Sequence, residues 1–147
     1  MQKPALEFLN FSLDDQYIGL EWPKNGYADL HNNFNFTQLQ YVPSEAKLIL
    51  CWTKSSGDWA KKVPWQKLEL LFSGVSYFHV KERDAEYPIS EDDCLRDICR
   101  APMEARGDFD NIWLDRNPPL DYDLQLVFQS EWGIKVNAAT VMLKLEQ

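Results

Sequence analysis

The sequence predicts a mainly β chain: one antiparallel β-sandwich or strongly curved sheet carrying one short α-helix. Three observations predict it. Apolar and polar residues alternate with period two in several short segments. Turn-forming residues separate those segments. The stretch from Ser90 to Pro102 carries helix start and stop signals. With 147 residues, 45% of them hydrophobic and 14% aromatic, the chain can bury one core and is not disordered in composition. We treat residues 1–147 as a single domain.

Near the N-terminus, Leu6, Phe8 and Asn10, then Tyr17 to Trp22, allow two strands. Pro23 to Asn35 contains Asn25-Gly26 and Asn32-Asn33 and reads as a polar loop. Thr37, Leu39 and Tyr41 alternate with Gln38 and Gln40. Pro43-Ser44-Glu45 marks a turn, and Leu48, Leu50 and Trp52 follow against Lys47, Ile49 and Cys51. Leu68, Leu70 and Phe72 lead to Ser73-Gly74, a hairpin turn or a bulge. Val75, Tyr77 and His79 then lie opposite Phe78 and Val80.

The helix is expected at Glu91–Cys99. Ser90 suits an N-cap with Asp93 three residues on, and Asp92 and Arg96 have i,i+4 spacing. Cys94, Leu95, Ile98 and Cys99 would form its buried face. Residues Glu104 to Pro119 read as loop. Three alternating segments, Leu124 to Phe128, Ile134 to Val136 and Val141 to Leu145, read as a C-terminal antiparallel meander. Asn137-Ala138-Ala139 is either a turn or a bulge.

Charge is distributed unevenly. Glu82 to Asp123 holds 13 Asp/Glu and all 5 Arg, and so carries the whole formal charge of −8. The remainder balances 10 acids with 10 Lys. A pI near 4.7 argues against binding nucleic acid through a basic field. No apolar run reaches the ~20 residues of a membrane helix, and Met1 to Glu7 contains no apolar signal core. With an odd set of cysteines, Cys51, Cys94 and Cys99, this leads us to expect a cytoplasmic chain with free thiols.

Few constellations offer chemistry. Cys94 and Cys99 with Cys51 and His79 supply zinc-ligand types, but without knuckle spacing, so core packing is the expected role. Asp29 and His31 could orient a general base, and Asx-type turns explain that pair equally. Asp108-Phe109-Asp110-Asn111 is faintly like a calcium loop, but Pro119 stands where an EF-hand needs its bidentate Glu. No phosphate-loop, dinucleotide, zinc-protease or nucleophile-elbow motif is present. We therefore expect no catalytic residue, no metal and no cofactor. The lysine-rich stretch Lys54 to Lys67 interleaves Trp59 and Trp65, which we expect to anchor a hairpin loop to the core.

The excess of acid points to a basic protein partner, with Tyr87, Phe109, Trp113 and Tyr122 as exposed anchors. The binding residues expected are Glu104, Asp108, Phe109, Asp110, Trp113, Asp115, Asp121 and Tyr122. A homodimer, its acidic insert docked on the lysine loop of a second subunit, stays open. The competing expectation is a small-ligand-binding or hydrolytic β domain with a Trp/Tyr-lined pocket and acids at its mouth. The stretch from Leu124 to Phe128 through Trp132-Gly133-Ile134-Lys135-Val136 resembles the terminal meander of bacterial immunity proteins from toxin–immunity systems and of related small β-rich bacterial proteins. The resemblance spans under a third of the chain and implies binding and masking of a toxin. It transfers no catalytic residue.

Overall fold

The computed structural model describes residues 5–147, so Met1 to Pro4 of the N-terminal reading lie outside it. Among the described residues, twelve strands form three sheets. The first sheet orders β1 (Glu7–Phe8), β12 (Thr140–Glu146), β7 (Lys67–Ser73), β6 (Lys47–Lys54) and β5 (Phe34–Val42). The second orders β8 (Tyr77–Lys81), β11 (Gly133–Asn137), β10 (Asp123–Phe128) and β9 (Leu95–Ala101). The third is β2 (Ser12–Leu13), β3 (Gly19–Trp22) and β4 (Gly26–Asp29). Neighbours pair antiparallel throughout, except β1, which runs parallel to β12.

The mainly β class expected from alternation holds, and the alternating residues are the core. Leu48, Leu50, Trp52, Leu68, Leu70, Phe72, Val141 and Leu143 of the first sheet pack with Leu95, Ile98, Leu124, Leu126, Phe128, Ile134 and Val136 of the second. Phe36 joins the layers, its ring 5.0 Å from both Trp52 and Phe128. The Pro43–Glu45 turn closes the β5–β6 hairpin as a 3-10 turn, with Ala46 in the left-handed region at φ 51°.

Three local expectations change. The helix expected at Glu91–Cys99 is a 3-10 turn at Ile89–Glu91 followed by strand β9. Its capping residues do start a turn, but β9 is buried on both faces between core and loop. That burial erases the period-two pattern that would have betrayed a strand. Asp92 pairs with Arg83, and Arg96 with Asp97, instead of with each other. The loop expected at Pro23 to Asn35 contains β4, hairpinned to β3 through Lys24 and Asn25, both at positive φ. The C-terminal meander is a β10–β11 hairpin plus β12 in the other sheet.

Two adjacent crossovers explain that last change. At Ser73-Gly74 the chain leaves the first sheet for the second, with Gly74 at φ 70°. At Ala138-Ala139 it returns. Ala139 N donates to the carbonyls of Ser73 and Gly74 at 3.0 and 3.1 Å, and a Cβ on Gly74 would meet the Ala139 methyl at 2.9 Å. Glycine is needed there for both conformation and space.

Residues 102–122 contain no strand. They form a strap across the outer face of the second sheet, and its only regular turn is the 3-10 segment Met103–Ala105. Phe109 lies under the strap and is 5% exposed. A Cβ on Gly133 would come within 2.6 Å of the Phe109 ring and 3.0 Å of the Leu126 carbonyl. Gly133→Ala should therefore lift Phe109 and lower stability by about 1–3 kcal/mol in urea unfolding. A wild-type midpoint would show that the strap is not seated on this sheet.

Candidate functional site: the strap and the adjoining cleft

The outer face of the second sheet is polar. Register places His79, Lys135, Gln125 and Cys99 in one row across β8, β11, β10 and β9. Lys135, Gln125, Asp123 and Asn137 are fully buried. Such groups are tolerated only when paired, and the strap pairs them. Lys135 Nζ donates to the carbonyls of Ala105 and Asp108, beneath the rings of Phe109 (4.7 Å) and Trp113 (5.6 Å). Arg106 holds the Asp123 carboxylate through two bonds of 2.9 Å and stacks over Tyr77. Asn137 Nδ2 donates to the Asp121 carbonyl and to Asp123, and Gln125 Nε2 to the Asn111 carbonyl.

The structure therefore sorts the expected binding residues into two groups. Phe109 is buried, and Trp113 and Tyr122 are half-buried; Phe109 and Trp113 face the protein's own Lys135 ammonium. Tyr87 alone of the expected anchors is exposed. Asp108 folds its own loop. Its carboxylate accepts from the Asp110 and Asn111 backbone N–H groups and the Asn111 side chain, which hold its pKa below the usual carboxylate range. Asp121 is half-buried. Glu104, Asp110 and Asp115 do face solvent. Beside them stand residues that sequence reasoning left out: Ile112, Leu114 and Leu120, the last two 63% and 65% exposed.

A cleft of about 400 Å³ opens where the strap meets the third sheet. Its lining includes Phe8, Leu13, Asp15, Tyr17, Glu21 and Pro118, with Asp115 and Arg116 from the strap and Arg100 from β9. Tyr17 sits at φ 60°, a strained conformation for a bulky residue. It is held there because Asp14 accepts the Ile18 and Gly19 N–H groups, while Ile98 N donates to the Tyr17 carbonyl at 2.8 Å. Phe8, Asp15 and Glu21 lie about a hundred residues from the strap in sequence, and nothing in their local pattern marks them as its neighbours.

The remaining candidates lie elsewhere in the fold. Cys94 Sγ lies 3.7 Å from His31 Nδ1, a proximity that spacing could not reveal. Nδ1 also contacts the Leu95 carbonyl, which can only accept, so that nitrogen carries the proton and cannot act as base. Burial, followed by Glu91, Asp93 and Asp29, pushes the Cys94 thiol up, away from thiolate. Asp29 caps the His31 and Asn32 backbone, which is the Asx turn. His79, expected to be partly buried, is exposed and tilted against Phe109. In the lysine loop Trp65 packs on the core, whereas Trp59 is 68% exposed and tied down by donating to the Asn32 carbonyl at 2.7 Å. Among the described residues no three His, Cys, Asp or Glu side chains converge as a metal site, and no helix is long and apolar enough to cross a membrane.

No protein-family model, no curated protein and no solved structure matches the chain.

Burial pushes the Cys99 thiol up to about 12, from about 8.5 in an unfolded chain. Between those values the unfolded state releases the proton and the folded state keeps it. The stability tied to this thiol is complete below the unfolded value and is lost as pH rises toward the folded one. Urea unfolding between about pH 8 and about pH 10.5 should show wild type losing stability more steeply than Cys99→Ala. Equal slopes would place the thiol in solvent.

Proposed function

We propose that this chain is a non-enzymatic binding protein that holds a basic protein partner against the outer side of its strap and the rim of the adjoining cleft. One observation carries the reading: exposed Leu114 and Leu120 stand among Glu104, Asp110 and Asp115, while the strap's Arg106 is turned inward onto Asp123. Of the outward acids only Asp110 has a lysine near it among the described residues, Lys81 at 3.9 Å. Asp15 and Glu21 extend the acidic surface beyond the insert itself.

Such a face combines long-range steering of a cationic partner with aliphatic anchors at the contact. The sharpest form of the reading is an immunity-type inhibitor that masks a basic enzyme such as a nuclease. The anchors differ from those expected: aliphatic side chains replace Phe109, Trp113 and Tyr122. Small-ligand binding is the second reading. It is favoured by the cleft, which offers Phe8 and Tyr17 with acids at its mouth in place of the Trp/Tyr-lined pocket expected.

Affinity capture from the native host at low salt, followed by binding kinetics with the recovered protein, tests the first reading. The double variant Asp110→Lys, Asp115→Lys should slow association about tenfold or more at low salt, and the difference should shrink as salt rises. Leu114→Asp should instead speed dissociation. Phe109→Ala should chiefly lower stability, by about 3–5 kcal/mol. Recovery of no basic protein, or charge reversal without kinetic effect, would sink the reading.

A further inference from the structure

Arg100 is the most anomalous cation in the molecule. It projects from the inner face of β9, beside Ile98 and Leu124, and is only 9% exposed. Among the described residues it has no carboxylate partner. Its Nη2 donates to the carbonyls of Leu120 (3.1 Å) and Tyr122 (2.8 Å), and its guanidinium stacks 4.9 Å over Phe8. Its Nε is buried without any acceptor. Burial lowers its pKa to about 10, against the opposing pull of the Asp123 and Asp121 carboxylates. A buried guanidinium with no direct ion pair and one unanswered N–H is costly, even with two strap carbonyls accepting from its Nη2. Arg100 lines the cleft, and Arg116 lines it as well, likewise without an ion pair among the described residues.

The same cleft is lined by Asp15, Glu21 and Asp115, the last next to Arg116 in sequence. Asp14 also lines it, but its oxygens are already taken by Ile18 N, Gly19 N and the Tyr27 hydroxyl. Phe8, Leu13 and Pro118 supply apolar surface to its wall. Two guanidiniums suit a carboxylate, which they can grip in a planar, paired fashion. Three carboxylates in the same lining would repel a phosphate or other compact polyanion, but would welcome a cation on the same ligand.

We propose that this cleft binds a carboxylate carried by a molecule that also bears a cationic group on a short apolar stem. Arg100 and Arg116 take the carboxylate, Phe8, Leu13 and Pro118 the stem, and Asp15, Glu21 and Asp115 the cation. Two sources have this chemistry: a free basic amino acid, and a polypeptide C-terminus ending in Lys or Arg. The volume of about 400 Å³ is within the range of small-ligand sites and admits one such residue. This inference rests on the small-ligand reading of the cleft and does not depend on the strap binding a protein partner.

The test uses the full chain and N-acetylated tetrapeptides ending in lysine, as free acid and as amide, with free L-lysine as the third probe, followed by NMR titration. The free-acid peptide should bind at least tenfold more tightly than the amide. Arg100→Met should erase that preference. Arg116→Ala, at an exposed position, should weaken the acid severalfold, and it decides the matter if Arg100→Met fails to fold. Glu21→Gln with Asp115→Asn should weaken the lysine-ending acid more than a norleucine-ending one. Tight binding of free L-lysine identifies the amino acid as the source, and binding of the peptide acid alone identifies a chain terminus. Equal binding of acid and amide, or no binding of any probe at millimolar concentration, overturns the proposal. Asp110→Lys, outside the cleft, should leave peptide binding unchanged while impairing capture of a protein partner, so the two readings fail separately.

Discussion

The buried ammonium of Lys135 is the constraint around which the second half of the molecule is arranged. A lysine in the middle of a sheet cannot be left dry without acceptors. Its acceptors, the carbonyls of Ala105 and Asp108, belong to a segment with no strand of its own. The strap is therefore held to the sheet by polar contacts as much as by apolar ones, with Asp123–Arg106 and Asn137–Asp121 continuing the seam. Phe109 and Trp113 then screen the ammonium from water, which strengthens each of those bonds. The acidic insert is largely a cover for a polar sheet face, and what it offers to other molecules is its reverse side.

Alternation made much of the fold legible. Where one face of a strand meets the core and the other meets water, as in β7 or β12, every second residue is apolar and the strand can be read directly. In β9, where that condition failed, the strand was not legible, whereas β10 and β11 were read as strands although they too are buried on both faces. Strands β9 and β10 are buried on both faces, so their outer positions hold Cys99, Ala101, Asp123 and Gln125 for reasons that involve the strap. In β9 the leftover signal, acids followed by arginines, imitates a helix with good ends. Sheet membership was hidden too, because Ala138-Ala139 moves the chain between layers without a strong turn signal.

The expected binding residues divide between the surface and the interior. The charge anomaly drew attention to 104–123, where Glu104, Asp110 and Asp115 do lie outside. Aromatic residues among acids suggested exposed anchors, yet their cation was already present in the chain, one strand away at Lys135. No local pattern could reveal that, since the pairing depends on register between β10 and β11. The cleft was invisible for the same reason: its walls come from residues 8–21, from β9 and from the strap, and only the tertiary fold brings them together.

The parallel pairing of β1 with β12 bears on how the protein is made. Residues 7–8 have no sheet to join until residues 140–141 have left the ribosome, because β12 lies between β1 and the rest of its sheet. Leu6 is further fixed by donating to the Leu120 carbonyl on the strap. Pairings this distant in sequence assemble late and slowly. Phe8, the ring beneath Arg100, is carried by that strand. The cleft is thus completed only after the last strand docks, and a nascent or C-terminally clipped chain would present Arg100 without its floor.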